Sequence, residues 1–133
     1  MTTTGRSRRS CLTVPGSSER FLAKARSLAA DELILDLEDS VASAAKDSAR
    51  TLVVEALSPG AGDWTAKLRA VRINDALSQW AHLDVLEVVG RAGADIDSIV
   101  LPKVSAPAHV IWLDLLLGQV ERQAGLPLGR CGP

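Results

Sequence analysis

Residues 33–56 read LILDLEDSVASAAKDSARTLVVEA, and two hydrophobic periods meet in them. LILDLE (33–38) is an apolar run of strand length in which Leu33, Leu35 and Leu37 alternate with Ile34, Asp36 and Glu38. Beyond it Val41, Ala44, Ala45, Ala49, Leu52, Val53 and Ala56 recur at helical spacing, with Asp39 and Ser40 in place to cap the helix. Ser58, Pro59 and Gly60 stop that helix. A strand and then a helix within about thirty residues make one βα unit.

The unit recurs on both sides. Upstream, 10–14 is an apolar strand closed by Pro15, Gly16 and Ser17, and Phe21, Leu22, Ala25, Leu28 and Ala29 mark a helix behind it. Downstream, a strand over 67–73 precedes a helix over 77–92 that buries Leu77, Trp80, Ala81, Val85, Val88 and Val89. A last strand over 98–101 leads through Pro102 and Lys103 to a helix over 107–124, with Val110, Leu113, Leu117 and Val120 on its apolar side. Consecutive βα units predict an α/β fold with a parallel sheet and right-handed crossovers. A fifth strand is expected where the sequence reads GLPLGRCGP (125–133). No linker divides the units, so residues 1–133 form one expected domain, with 1–8 as a disordered tail.

Composition agrees with a single ordinary globular domain: 133 residues, 47% hydrophobic and 23% charged. Fifteen Lys and Arg stand against sixteen Asp and Glu, which leaves no field to attract nucleic acid or an anionic membrane. No apolar run approaches the roughly 18 residues of a membrane span, and CLTV is far too short for the core of a secretory signal. Cys11 and Cys131 have no metal-type spacing, and Cys11 reads as a small buried hydrophobe, which together suggest a reducing cytoplasm. His82 and His109 lack ligand partners at useful spacing, and Trp64, Trp80 and Trp112 are scattered as packing residues rather than as a stacking platform.

In parallel α/β proteins ligands bind at the C-terminal ends of the strands, so the polar groups there carry the information. Alternation puts Asp36 and Glu38 on one face of their strand, where two carboxylates need a cation, an arginine or water to relieve their repulsion. AVRIND (70–75) puts Arg72 and Asn74 on a common face. The Arg72 fork suits a substrate carboxylate, or it neutralises Asp36 or Glu38, and the two roles are compatible. Lys103 follows the fourth strand, a position where a lysine is more often simply solvated. Arg6, Arg8, Arg9 and Arg20 lie near the first helix N-terminus in sequence, and Arg9, at the start of its strand, is the better candidate for an anion.

Taken in order, RRSCLTVPGSSERFLAKA (8–25), LILDLEDSV (33–41) with KDSAR (46–50), AVRIND (70–75) and SIVLPKVSAP (98–107) resemble the citrate lyase β-subunit-like family of CoA-ester lyases. That group includes malyl-CoA lyase and lies within the HpcH/HpaI aldolase superfamily. The resemblance implies a TIM (β/α)₈ barrel, a homo-oligomer and a magnesium-dependent retro-Claisen or retro-aldol cleavage of β-hydroxyacyl-CoA esters such as citryl-CoA or malyl-CoA. It implies Arg72 on the substrate carboxylate or carbonyl oxygens, and catalytic Asp36 and Glu38 on the site floor near Mg²⁺. It further implies Arg9 near the CoA phosphates or acyl group, and Lys103 at the rim. A complete barrel takes about 250 residues. The family's direct metal ligands belong to later strands, the first of them expected just after GLPLGR. The chain is therefore expected to be the N-terminal half of a lyase, truncated and inactive by itself. The competing expectation is a non-catalytic half-barrel that serves as an interaction or regulatory module.

Overall fold

The computed structural model describes residues 7–132. Most of the tail expected over 1–8 thus lies outside the described residues; Ser7 and Arg8 bond to Asp31 and Glu32. The elements follow the expected order: β1 (Cys11–Pro15), α1 (Glu19–Ala25), β2 (Glu32–Asp36), α2 (Lys46–Leu57), β3 (Leu68–Arg72), α3 (Ala81–Asp84), a π-helical segment (Val85–Val89), α4 (Gly90–Ala92), β4 (Ser98–Val100) and α5 (Pro107–Gln123). The four strands form one sheet in the order β1-β2-β3-β4, every pair parallel. Sequential order with a helix in each crossover brings consecutive helices side by side, and α1 packs on α2, α2 on the π segment, and α5 on both the π segment and α4.

The register explains which side chains go inward. Leu35 pairs with Val14 and Val71, and Val71 with Ile99, so these apolar side chains share the helix-covered face with Leu33, Leu37 and Ile73. All but Val14 are 0 or 1% exposed. The opposite, uncovered face carries Thr13, Ile34, Ala70 and Val100, none of which belongs to the helix-packed core; Thr13 is exposed and Ile34 and Val100 are half-buried. This is the face that a closed barrel turns inward. The backbone at the C-terminal edge of the sheet is tightly drawn: Gly16 donates to the Asp36 carbonyl at 2.8 Å. A Cβ on Gly16 would stand 2.6 Å from that oxygen and 2.9 Å from Val53 Cγ2, which excludes any larger residue there without displacing β2 or α2.

Several local expectations are corrected. Helix α2 starts at Lys46 rather than Val41, because Asp39 and Ser40 do not cap it; Ser40 instead donates to Asp36 from both its amide and its hydroxyl. The intervening chain winds around the Lys46 ammonium, which donates to the carbonyls of Leu37, Glu38 and Val41 at 3.0 to 3.1 Å. The helix expected from Leu77 starts at Ala81, which leaves Leu77 81% exposed. Val110 is exposed too, whereas Leu113, Leu117 and Val120 are buried as expected. Cys11 is exposed, not buried. It lies on the uncovered face of an edge strand, where periodicity alone does not distinguish core from open surface. In the segment where a fifth strand was expected, Gly132 makes one parallel bridge to Ser98 and accepts from Ile99 N at 2.9 Å. No helix among the described residues is long and apolar enough to cross a membrane.

Candidate functional site

Asp36 and Arg72 are direct register partners at the ends of β2 and β3. The pairing delivers a two-point contact: Arg72 Nε donates to Asp36 Oδ1 at 2.7 Å and Nη2 to Oδ2 at 3.0 Å. Asp36 is fully buried and collects three more donors, Glu38 N at 2.9 Å, Ser40 N at 3.0 Å and Ser40 Oγ at 2.5 Å. Burial pushes its carboxyl pKa upward, but the Arg72 guanidinium, the Ser40 hydroxyl and the two amides outweigh that and hold it well below the usual carboxylate range. The same pair raises the pKa of Arg72 further, so it stays cationic. A guanidinium carries five N–H groups, and Asp36 takes two of them. The other three belong to a side chain that is 28% exposed and lies at the C-terminal edge of the uncovered face.

Beside this pair, Glu38 is buried and its Oε2 accepts from Lys103 Nζ at 2.5 Å, while its Oε1 lies 3.8 Å from Arg72 Nε. Lys103 also reaches Asp39 at 3.3 Å, and the pKa of its ammonium is raised by Glu38 first and Asp39 second. Its backbone has φ 53°, in the left-handed region that side chains other than glycine seldom adopt. Two cations and three carboxylates are thus interleaved across the ends of β2, β3 and β4. They adjoin a cleft of about 290 Å³ lined by Glu38, Asp39, Lys46, Asn74, Trp80 and Lys103, among others.

Four of the residues singled out from sequence, Asp36, Glu38, Arg72 and Lys103, therefore come together. Arg9 does not join them. It precedes β1, so in a parallel sheet it stands at the N-terminal ends of the strands, about 20 Å along the strand direction from the cluster at 3.3 Å per residue. There its guanidinium is 85% exposed and 3.4 Å from Asp31. A cleft of about 380 Å³ at that end is lined by Ser7, Arg9, Asp31 and Lys67, among others, but it lies away from the strand ends where α/β proteins place their chemistry.

Sequence reasoning passed over the buried groups that support this cluster. Lys46 is buried under the Trp80 ring, 5.1 Å from its centroid, and pins the backbone that carries Glu38. One helical turn on, Arg50 is buried and pairs with buried Asp84 at 2.8 Å, and Asp84 in turn accepts from Asn74. The signal was present as two cations, Lys46 and Arg50, on the same helical stripe as Ala49 and Val53, where only apolar residues were counted.

Among the described residues no three His, Cys, Asp or Glu side chains are arranged so as to hold a metal ion; the three carboxylates of the cluster face Arg72 and Lys103 instead. With its oxygens occupied by five donors, Asp36 is poorly placed to ligate a cation.

The family model described as HpcH/HpaI aldolase/citrate lyase matches residues 9–128. The L-malyl-CoA/beta-methylmalyl-CoA lyase of Cereibacter sphaeroides is 39% identical over 111 residues, which are 84% of this chain and 34% of that enzyme. The chain thus spans about a third of the length of this curated relative. The citrate lyase beta subunit from M. tuberculosis, solved with oxaloacetate and magnesium, aligns with TM-score 0.62 at 33% identity over 77% of this chain and 42% of that one. Haloferax volcanii malate synthase, solved as a lead(II) complex, aligns with TM-score 0.85 over 98% of this chain and 41% of its own at 21% identity. That likeness is one of fold, and it identifies the four βα units as part of a TIM-barrel-like architecture.

Proposed function

We propose, from the premise that this chain belongs to the HpcH/HpaI aldolase/citrate lyase family, that its strand-end cluster serves a carbon-carbon lyase acting on β-hydroxyacyl-CoA esters of the citryl-CoA or malyl-CoA type. The observation that carries the reading is Arg72, clamped through two contacts by buried Asp36 with three N–H groups left toward the uncovered face. Such a fork binds a substrate carboxylate and stabilises negative charge that develops on a carbonyl oxygen as the carbon-carbon bond breaks. Asp36 is the positioning residue that aims it. Glu38 is less committed than Asp36, and with Lys103 it holds the polar floor on which a water or a substrate hydroxyl is oriented. Magnesium accompanies the M. tuberculosis subunit, but the described residues do not form a ligand set for it. The chemistry assigned to this chain is therefore binding and charge stabilisation by its own groups, and we infer that the 133-residue chain does not turn over by itself. Arg9, remote from the cluster, is proposed only as a contact for an extended anionic portion of the CoA ester.

Oxaloacetate, the ligand of the M. tuberculosis protein, is the natural probe. Titration calorimetry is expected to show binding that Arg72→Ala weakens roughly 30-fold, the scale of a hydrogen bond to a charged partner. Affinity unchanged in Arg72→Ala would overturn the assignment of the site. In parallel, incubation with malyl-CoA and Mg²⁺ is expected to release no acyl-CoA product, and robust turnover would overturn the inferred incompetence while leaving Arg72 in place.

A second reading, a non-catalytic interaction module, is favoured by one surface. At the edge of β1 that no described strand pairs with, Leu12 and Phe21 are 43% and 51% exposed beside an apolar groove that also includes Val14 and Leu28. An unprotected strand edge with apolar neighbours invites association, and we propose a homo-oligomer on that ground. Light scattering is expected to report a species larger than 14.1 kDa, and a monodisperse monomer at micromolar concentration would remove this reading.

A further inference from the structure

We propose that Asn74, Asp84 and Arg50 form a buried brace that positions Arg72, an inference that rests on the reading of Arg72 as the anion-binding group. The sheet ladder reaches only to the end of β3: Leu37 donates to the Arg72 carbonyl at 2.9 Å and Ile73 to the Val100 carbonyl at 3.1 Å. The next amide, Asn74 N, donates to no backbone acceptor of the sheet. It turns to Asp84 Oδ2 at 2.9 Å, and the Asn74 side-chain amide donates to the same oxygen at 2.7 Å. The chain leaving β3 is therefore tied to a helix side chain two residues after Arg72. Asp84 Oδ1 is spent on Arg50 Nε at 2.8 Å, with the two side chains 1% and 3% exposed. Arg50 Nη1 also reaches Asp47 at 2.8 Å and lies 3.7 Å from Glu87, which fixes its direction from α2 and from the π segment at once.

Two features set the brace apart from ordinary packing. A buried ion pair is weak evidence for stability, because apolar residues of the same volume often serve as well; what it adds is direction. The helix that supplies Asp84 also departs from regular geometry immediately after it, in the π segment Val85–Val89. The widened turn lets Asp84 face Arg50 while Val85, Val88 and Val89 are all fully buried against the core. Such segments occur frequently at functional sites. The brace also ends on the cleft itself, which Asn74 lines together with Glu38 and Lys103. From one stripe of α2, then, Lys46 pins the β2 side of the site and Arg50, through Asp84, pins the β3 side.

The test needs a readout that loss of stability alone does not move. In the 15N-labelled chain, hydrogen exchange of the Arg72 Nε proton reports how firmly Asp36 holds the guanidinium, with no ligand present. Asn74→Ala is expected to accelerate that exchange at least tenfold and to weaken oxaloacetate binding at least fivefold, while native circular dichroism is retained. Leu22→Ala, which opens a core cavity on α1, an element that supplies none of the brace groups, is the control and is expected to lower the melting temperature without changing Arg72 exchange. If Asn74→Ala fails to fold, Asn74→Ser, which keeps a small donor, supplies the measurement and is expected to give an intermediate acceleration. Exchange unchanged in the folded variant, or accelerated equally by Leu22→Ala, would overturn the brace. Oxaloacetate binding insensitive to Arg72→Ala would instead sink the site assignment, and the exchange data would still decide whether the brace holds Arg72.

Discussion

Asp36→Ala is expected to cost about 3 kcal/mol of folding stability, read as a fall in the urea midpoint with little change in slope. The cost has two parts. Arg72 loses the partner that takes two of its N–H groups, and the amides of Glu38 and Ser40 lose their acceptor inside the β2–α2 turn. Because Arg72 is 28% exposed, water can recover some of its hydration, which places the figure at the lower end of the range for breaking a buried pair. The same contacts fix a pH dependence. The folded-state pKa of Asp36 is depressed below its unfolded value near 4, so its contribution is fully present above that value and declines as pH falls below it. An acid titration should therefore find the wild type losing stability more steeply below pH 4 than the Asp36→Ala variant, whose folded state no longer prefers the ionised carboxylate. Parallel acid limbs for the two proteins would show that the pair does not hold the ionised form.

Asp84→Ala is expected to be costlier, about 3 to 5 kcal/mol, a large part of the stability of a domain of this size. Arg50 would be left 3% exposed with its nearest fully buried counter-charge gone, and both nitrogens of Asn74 would lose their acceptor. Asp47, 87% exposed, is too well solvated to replace Asp84. The apolar double variant Arg50→Met/Asp84→Leu is expected to regain most of that stability, because it removes the stranded charge along with its partner. Thermal melts of the single and double variants decide the matter. A double variant no more stable than Asp84→Ala would mean that the cost lies in packing around α3 rather than in the charge.

What was legible in the sequence follows from which forces act locally. The alternation of LILDLE and AVRIND places Asp36, Glu38 and Arg72 on one face, because strand period is a property of the backbone. The apolar runs likewise located the four strands to within a residue or two. What escaped was set by contacts distant in sequence. Ser40 looked like a helix cap but bonds to Asp36, and the delayed start of α2 depends on an ammonium, Lys46, that the amphipathic pattern did not mark as buried. The π segment has no separate period in VLEVV. Arg9 was grouped with the anion-binding candidates by its nearness in sequence to a helix N-terminus, yet it lies at the other end of the sheet, where the order of a parallel strand puts any residue that precedes it. Cys11 was misread because whether an edge strand is covered is decided by neighbours rather than by its own residues.

The left-handed backbone of Lys103 has a practical corollary for anyone who would engineer this chain. A lysine there costs about 1 to 2 kcal/mol relative to a relaxed conformation, and glycine would remove that penalty. Any procedure that scores backbone strain position by position would therefore favour glycine at 103. It would also delete the side chain that joins the end of β4 to Glu38 and Asp39. Relief of the backbone would be set against a buried Glu38 left without its ammonium and a site left without its link to β4, so position 103 belongs on the protected side of a redesign.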